Sequence, residues 1–258
     1  GGNPLDLITK AQARTNMGSM ELIPPTRPEA FLERFTNLPV LSVKRKQWRM
    51  EQSEHDRNEA DAVFQEVRKK VLDRDGRRCW FCGFTSTAHQ EVHHLDDDHT
   101  NNRLDNLVTI CNIDHLCFHL GLAAMRGAIF LAVIPELTQV EITNLMRIYH
   151  CAVATGNEDV QSRLKGLYAI FESRSVDIFK RVFETDFSNG HEIAVALSRL
   201  DDAAFAMRHK TMNGLRVIPT EAAFRQGQIA GYLTRTHTQY LDMNHWPALL
   251  DTLRSQPA

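Results

Sequence analysis

Residues 79–119 read CWFCGFTSTAHQEVHHLDDDHTNNRLDNLVTICNIDHLCFH and hold four of the five cysteines and six of the twelve histidines in this chain of 258 residues. A disulfide framework would spread its cysteines along the chain, and an odd number would leave one unpaired. Thiolate and imidazole are ligands that zinc prefers. The clustering therefore predicts zinc binding, and it favours a reducing, cytoplasmic environment over a secreted one.

The cysteine spacing indicates three of the four zinc ligands. Cys79 and Cys82 form a Cys-x2-Cys pair, in which two thiolates grip one tetrahedral ion, and Cys111 is the expected third ligand. A second such pair would need a cysteine where this chain has Asp114. Either Asp114 binds zinc through oxygen, which we favour, or Cys117 reaches back to the ion. The alternative to a metal site is a set of buried cysteines that bind nothing.

The histidines form a second pattern, which resembles the ββα-metal, or HNH, arrangement of nucleases in its order and spacing. In such a site His93, His115 and His119 would hold a second divalent metal against the scissile phosphate. His94 would be the general base that activates water, and Asn106 would bridge the loop to His94 and orient it. Because a shared fold does not imply a shared activity, the alternatives are an inherited fold without activity and a second structural metal site.

Composition and charge exclude several classes of protein. The chain is 43% hydrophobic and 24% charged with a net charge of -2, so it is globular and carries no overall field that would attract nucleic acid. Basic residues cluster at 44–49 and 68–78, but the acidic stretch 96–98 adjoins the histidine pair, so nucleic-acid binding is not favoured. The longest apolar stretch, 128–134, is too short to span a membrane.

Periodicity and turn residues predict the secondary structure. Thr138 and Glu141 fit a capping box ahead of an apolar helical stripe, and we assign His150 and Cys151 to core packing. The other predicted elements are a short helix at 28–35, an edge strand at 39–43, a helix from residue 54 to Asp75-Gly76, strands at 91–93 and 107–110, and helices at 111–122, 164–171, 193–200 and 221–233.

These patterns together predict an α+β fold with a zinc-containing, HNH-like ββα-metal core and a mostly α-helical C-terminal half. Residues 28–123 would form the HNH-like zinc-binding region, and residues 124–258 would form a helical region packed on it. Residues 1–27 are expected to be a flexible segment. Because Gly18-Ser19-Met20 resembles a cloning junction, residues 1–17 are either a tag or fused peptide, or native sequence.

Further details resemble one family, the IcmJ/DotN component of type IVB (Dot/Icm) secretion systems and their conjugative relatives. The resemblance runs from about Val43 to about Tyr232, and its later segments lie outside the metal site. The segments that carry it are Arg74-Asp75, Cys79-x2-Cys82-Gly83-Phe84, Leu95-Asp96-x-Asp98, Thr100-Asn101-Asn102-Arg103-Leu104, Asn106-Leu107-Val108-Thr109, Ile134-Pro135-Glu136-Leu137-Thr138-Gln139, Leu215-Arg216-Val217-Ile218-Pro219 and Phe224-Arg225.

The resemblance implies a non-enzymatic role in protein transport. Proteins of this family belong to a cytoplasmic coupling complex at the inner membrane, where they bind the C-terminal tail of the coupling ATPase DotL beside DotM and the adaptors IcmS and IcmW. Their zinc site is structural, and the partner groove would lie on the exposed surface of the helical half. This chain departs from the family in having Asp114 where a cysteine is expected. The rival interpretation is an active HNH endonuclease that cleaves DNA with a divalent metal, with His94 and Asn106 as catalytic residues.

Overall fold

A long helix leads into the cysteine-rich stretch in the computed structural model, which describes residues 39–43, 54–155, 158–183 and 190–234. This helix, α1, spans Glu54–Arg74. It ends where the sequence predicts, because Gly76 adopts a left-handed φ of 58° that a helix does not use. Asp75 then accepts a hydrogen bond from the backbone N–H of Thr109, 2.8 Å away, and so fastens the end of α1 to the following sheet.

The two strands predicted around the polar loop are confirmed. Strand β1 spans Gln90–His94 and strand β2 spans Leu107–Cys111. They pair antiparallel, with His94 opposite Leu107 and Gln90 opposite Cys111. This register places both histidines of β1 beside the loop at one end and Cys111 at the other end.

The helix predicted at 111–122 is wrong as a single element. The chain instead forms α2 at Asn112–His115, a 3-10 turn at Leu116–Phe118 and α3 at Leu120–Met125. His119 separates them with φ -129° and ψ 45°, outside the helical region. The N–H of Leu120 bonds to the carbonyl of Ser42 at 3.3 Å instead of continuing a helix.

The edge strand predicted at 39–43 is also wrong, since these residues join neither sheet. The backbone N–H of Ser42 bonds to the carbonyl of Cys117 at 2.7 Å, and the carbonyl of Ser42 accepts from the N–H of Leu120. The segment therefore bonds to the backbone on both sides of the break at His119. The helix predicted at 28–35, the segment 1–27 and the basic residues 44–49 lie outside the described residues.

A second sheet, which the sequence analysis missed, joins distant parts of the chain. Strand β3 spans Ile129–Val133 and pairs antiparallel with β4 at Leu215–Pro219. Ile129 and Leu131 belong to the core around the cysteines, whereas Ala132 belongs to a second core. Because both faces of β3 are buried, its sequence is a continuous apolar run without alternation.

The remaining elements are helices, of which the two longest pack against the second sheet. Helix α4, Gln139–Ala154, begins with the predicted capping box, in which Thr138 and Glu141 bond reciprocally. His150 and Cys151 are buried, as predicted. The other helices are α5 at Glu158–Phe183, α6 at His191–Ser198, α7 at Asp202–Ala206, α8 at Arg208–Thr211 and α9 at Gln228–Thr234.

The helix predicted at 221–233 is split in the structure. A 3-10 turn at Glu221–Ala223 comes first, and α9 begins only at Gln228, after Gly227 has taken a left-handed φ of 74°. The molecule is therefore a mixed α+β protein with two small antiparallel sheets among its described residues. Within this part of the chain, no helix has both the length and the apolar character needed to cross a membrane.

Candidate metal centre

Four buried side chains from three segments form a candidate metal centre. Cys79 and Cys82 lie in the turn after α1, Cys111 is the last residue of β2, and Asp114 lies in α2. Their ligand atoms all lie within 4.8 Å of one another, so among the described residues these four side chains form a group that could hold a metal ion. The predicted third ligand and the favoured fourth one thus meet the Cys-x2-Cys pair in space.

The local sequence folds the cysteine pair into a tight turn. The N–H of Gly83 bonds to the carbonyl of Cys79 at 3.0 Å, and the N–H of Cys79 bonds to the carbonyl of Phe84 at 2.9 Å. Gly83 adopts a φ of 72°, which favours glycine. The backbone N–H of Trp80 bonds to the carbonyl of Thr109 at 2.8 Å and so fixes the turn against β2.

The donor atoms fit a tetrahedral zinc ion. The sulfur atoms of Cys82 and Cys111 are 3.6 Å apart. Zinc–sulfur bonds of about 2.3 Å in a tetrahedral site would place two sulfurs about 3.8 Å apart, which is close to this distance. The Cys79 thiol donates to Oδ2 of Asp114 at 3.1 Å, while Oδ1 of Asp114 is buried and has no hydrogen-bond partner within the described chain. A buried carboxylate oxygen without a partner is costly, and metal binding would remove that cost.

Cys117, the alternative fourth ligand, lies outside this group. Its side chain is fully buried in the surrounding apolar core, and it is not among the four residues whose ligand atoms lie within 4.8 Å of one another. The geometry therefore favours Asp114 over Cys117.

Burial and charge act in opposite directions inside the centre. Burial, followed by the nearby Cys82, raises the pKa of the Asp114 carboxyl well above its usual range. Burial alone would also raise the pKa of Cys82, but hydrogen bonds from Cys111 and Cys79 and the positive charge of Arg147 bring that pKa well below its usual value. The centre thus contains at least one site where a thiolate is strongly favoured.

Arg147, which the sequence analysis did not single out, contacts this centre from α4. Its Nη2 atom lies 3.3 Å from the sulfur of Cys111 and 3.6 Å from that of Cys82. Arg147 follows the polar Thr143 and Asn144 by four and three residues and so lies on the same face of the helix, which is why no sequence pattern marks it as buried.

Three predicted metal-binding histidines also come together, in a group we call the histidine pocket: His93, His115 and His119. The Nε2 atoms of His115 and His119 are 3.1 Å apart, and the ring centres of His93 and His115 are 5.5 Å apart. Burial, and then the neighbouring imidazoles, lower the pKa of His93 well below its usual value. His93 also packs on the ring of Phe118, with 4.0 Å between centres.

Glu91, another residue that the sequence analysis missed, occupies the edge of the histidine pocket. Its Oε2 atom lies 2.5 Å from Nδ1 of His115, and its other oxygen pairs with Arg225. Burial alone would raise the pKa of Glu91, but the bond to His115 and the charges of His115 and Arg225 lower it. The carboxylate therefore fixes the orientation of the His115 ring.

The predicted contact between Asn106 and His94 is replaced by another in the structure. Asn106 does bridge the loop, but its amide donates to Oδ1 of Asp96 and to the carbonyl of Asn101, both at 2.9 Å. Nε2 of His94 instead lies 2.9 Å from Oδ1 of Asn102. The side chain of Asn106 is engaged by Asp96 and Asn101, and it is Asn102 that contacts the imidazole of His94.

Two of the basic residues ahead of the cysteines, Arg68 and Arg74, are used inside the fold. Arg68 donates to the carbonyl of Gln90 and Arg74 donates to that of Leu107, each at 2.8 Å. Arg74 also forms an ion pair with Asp75. These contacts tie α1 to the first sheet and give these two arginines a structural role.

Comparison with known proteins tests the resemblance. No protein-family model matches this sequence. The type 4 apparatus protein DotN of Legionella pneumophila is 32% identical to it over 173 residues, which make up 64% of this chain and 78% of that protein. Identity at this level over most of the relative's length confirms the predicted family: this chain belongs to the DotN family.

Proposed function

We propose that this protein is a component of a type IVB secretion or conjugation coupling complex, in which it is a zinc-stabilised scaffold that binds the C-terminal tail of a DotL-like coupling ATPase. The observation that carries the proposal is the match to DotN, which extends over 78% of that protein and so beyond the metal centre. In this role the protein would be cytoplasmic and would be recruited to the inner membrane by the other subunits.

The proposed scaffold has an HNH-like core. Strand β1, a polar loop, strand β2 and helix α2 follow one another in the order that an HNH motif requires. On this basis the described residues up to 123 form an HNH-like region, and the described residues from 124 onwards form a mostly helical region that contains the second sheet and packs on it. Three thiolates favour zinc over the harder divalent metals, so zinc is the proposed ion at Cys79, Cys82, Cys111 and Asp114.

The burial of the centre supports a structural role for its metal. All four side chains are buried, and a tetrahedral ion with four protein ligands has no position left for a substrate. When bound, zinc would supply cross-linking of three chain segments rather than chemistry. Such a centre suits a scaffold better than an enzyme.

Binding of the ATPase tail is tested with the full-length chain. Overlapping peptides from the C-terminal tail of the coupling ATPase from the same organism are titrated into the protein by calorimetry, with scrambled peptides as controls. We expect one segment to bind at a 1:1 ratio. If no tail segment binds, the scaffold proposal is wrong.

Surface variants locate the groove on the helical region. Met125 and Met207 are exposed apolar side chains in residues 124–258, whereas Val63 is an exposed apolar side chain on α1. We expect Met125→Asp or Met207→Asp to weaken tail binding at least about tenfold if it removes an anchor, and Val63→Asp to leave binding unchanged. The reverse pattern would place the groove on the N-terminal region.

A second candidate function, an HNH endonuclease, is favoured by the grouping of His93, His115 and His119 next to His94. Purified protein and the His94→Ala variant are incubated with supercoiled plasmid and magnesium, manganese, nickel or zinc. The scaffold proposal predicts no nicking by either protein, because Asn102 holds His94 and an acidic loop adjoins it. Nicking by the unmodified chain that His94→Ala abolishes would establish the endonuclease instead.

A further inference from the structure

Arg147 is a buried cation whose guanidinium group is enclosed by the metal centre and its surroundings. Its side chain is only 4% exposed. Nη1 donates to Oδ1 of Asn144 at 2.7 Å, and Nη2 faces the sulfurs of Cys82 and Cys111. The plane of the group lies over the ring of Phe84, with its central carbon 3.9 Å from the ring centre. A buried guanidinium group of this kind requires a negative partner.

The charge of the proposed centre supplies that partner. Three thiolates and one carboxylate around a divalent ion carry a net charge of about -2, which is unfavourable in a buried site without compensation. The positive charge of Arg147 reduces this net charge to about -1, and its guanidinium group contacts two of the ligand sulfurs. The backbone carbonyl of Cys82 accepts from Asn144 at 3.5 Å, so the same turn of α4 also contacts the cysteine turn itself.

Arg147 also connects the centre to the C-terminal part of the chain. Helix α4 packs against β4 and α9. Phe84, which lies under the guanidinium group, contacts the ring of Tyr232 of α9, with 5.1 Å between ring centres. Gln228 of α9 exchanges hydrogen bonds with Asn112, the residue that follows Cys111. The ligands and α9 are therefore joined through a shared set of buried contacts.

We infer that Arg147 is a positioning residue of the metal centre: it compensates the charge of the ligands and thereby couples metal binding to the docking of α4 and the C-terminal region. The inference rests on the zinc centre of the proposed function and is independent of tail binding. Without the metal, the chain segments that carry the ligands are not cross-linked, and the two sulfurs that Arg147 contacts are no longer held together beside it. With the metal, Arg147 holds α4 against the cysteine turn.

Cobalt binding tests the inference, because cobalt replaces zinc in thiolate sites and gives a sulfur-to-metal absorption band. Dissociation constants are measured by chelator competition for the full-length chain, Arg147→Met and Arg147→Lys. Arg174→Met is the matched control, since Arg174 is a half-buried arginine of α5 that pairs with Glu136, which is not a ligand of the metal centre. We expect Arg147→Met to weaken cobalt binding roughly 10- to 100-fold and the control to stay within about twofold.

The conservative variant and hydrogen exchange separate positioning from packing. Arg147→Lys keeps the charge but loses the planar contacts, so we expect its affinity to lie between those of the unmodified chain and Arg147→Met. Addition of cobalt should slow amide exchange in α4 in the unmodified chain and have little effect in Arg147→Met.

Two results would overturn the inference. If Arg147→Met binds cobalt as tightly as the unmodified chain does, and cobalt slows amide exchange in its α4 to the same extent, then Arg147 only fills space. Failure of the unmodified chain to bind cobalt or zinc would remove the metal centre itself. Failure of the tail peptides to bind would leave the inference intact and would contradict only the scaffold proposal.

Discussion

The cysteine centre and the histidine pocket are both groups of metal-ligand side chains, but they differ in how their polar atoms are satisfied. In the cysteine centre, Oδ1 of Asp114 is buried and has no hydrogen-bond partner within the described chain. In the histidine pocket, His115 lies within hydrogen-bond distance of both Glu91 and His119, so its two ring nitrogens are both engaged.

This difference bears on which group needs a metal. A buried polar atom without a partner destabilises the fold by about 1–3 kcal/mol unless something binds it. In the pocket, in contrast, both ring nitrogens of His115 already have partners among the side chains around it. We therefore expect the fold to depend strongly on an ion at the cysteine centre and only weakly on any ion at the histidine pocket.

The largest expected effect is the loss of a cysteine ligand. We expect Cys82→Ser to lose the metal and to lower the free energy of unfolding by about 4 kcal/mol or more, since structural zinc sites contribute directly to folding. Denaturant unfolding with and without a chelator measures the stability, and elemental analysis measures the metal. The chelator should have the same effect on the unmodified chain as the substitution.

Cys151 provides the matched control for that experiment. It is buried on α4 outside the centre, and burial raises the pKa of its thiol to about 11, so it is neutral near pH 7. We expect Cys151→Ser to retain the metal and to lower the free energy of unfolding by only about 1–2 kcal/mol. If both variants lost the metal and lost the same free energy of unfolding, Cys82 would not differ from a buried cysteine outside the centre.

The next effect concerns the fourth ligand. We expect Asp114→Ala to weaken zinc binding by about 2–3 kcal/mol, because a direct ligand is removed, whereas Cys117→Ala should leave zinc affinity unchanged. Competition with a coloured chelator measures both affinities. A loss of affinity in Cys117→Ala alone would show that Cys117, and not Asp114, completes the centre.

The sequence analysis could name the four side chains that group together in the cysteine centre because they are close along the chain or lie at element ends. Cys79 and Cys82 define a turn by their spacing alone, and Cys111 follows an apolar strand whose partner is nearby. Asp114 was preferred over Cys117 from residue chemistry, and the geometry agrees. Local spacing is therefore sufficient when the site is built from one short stretch.

The failures come from contacts between distant parts of the chain. The helix at 111–122 breaks at His119 because Ser42, which is far away in sequence, bonds to Leu120. Strand β3 was missed because burial on both faces removes the alternation that identifies a strand. Arg147 lies more than thirty residues after the last ligand, so no local pattern connects it to the cysteines.

A smaller effect is expected when the pH is lowered through the range in which histidines titrate. His93 is buried, and burial together with the nearby imidazoles lowers its pKa in the folded state, so it stays neutral there. In the unfolded chain its pKa is about 6.5, and below that pH the unfolded state binds one more proton. Stability from His93 is thus complete above about pH 6.5 and is lost as the pH falls, by about 1 kcal/mol between pH 6.5 and 5.5.

Comparison with His93→Gln isolates this contribution. Glutamine does not titrate, and acid-induced release of metal from the cysteine centre affects both proteins alike. We expect the difference in unfolding free energy between the two proteins to shrink by about 1 kcal/mol between pH 6.5 and 5.5. A constant difference would mean that His93 is not held neutral by burial in the histidine pocket.

The smallest effect is expected at His119, and it tests the histidine pocket most directly. His119→Gln keeps a side chain that can hydrogen bond to His115, so we expect a loss of less than about 1 kcal/mol in the free energy of unfolding. Because the proposed structural ion lies at the cysteines, metal content should stay at one zinc per chain. If the unmodified chain instead binds two ions and the variant binds one, the histidine pocket is a second metal site. The cysteine centre and the histidine pocket would then both depend on a metal, and the contrast between them would be wrong.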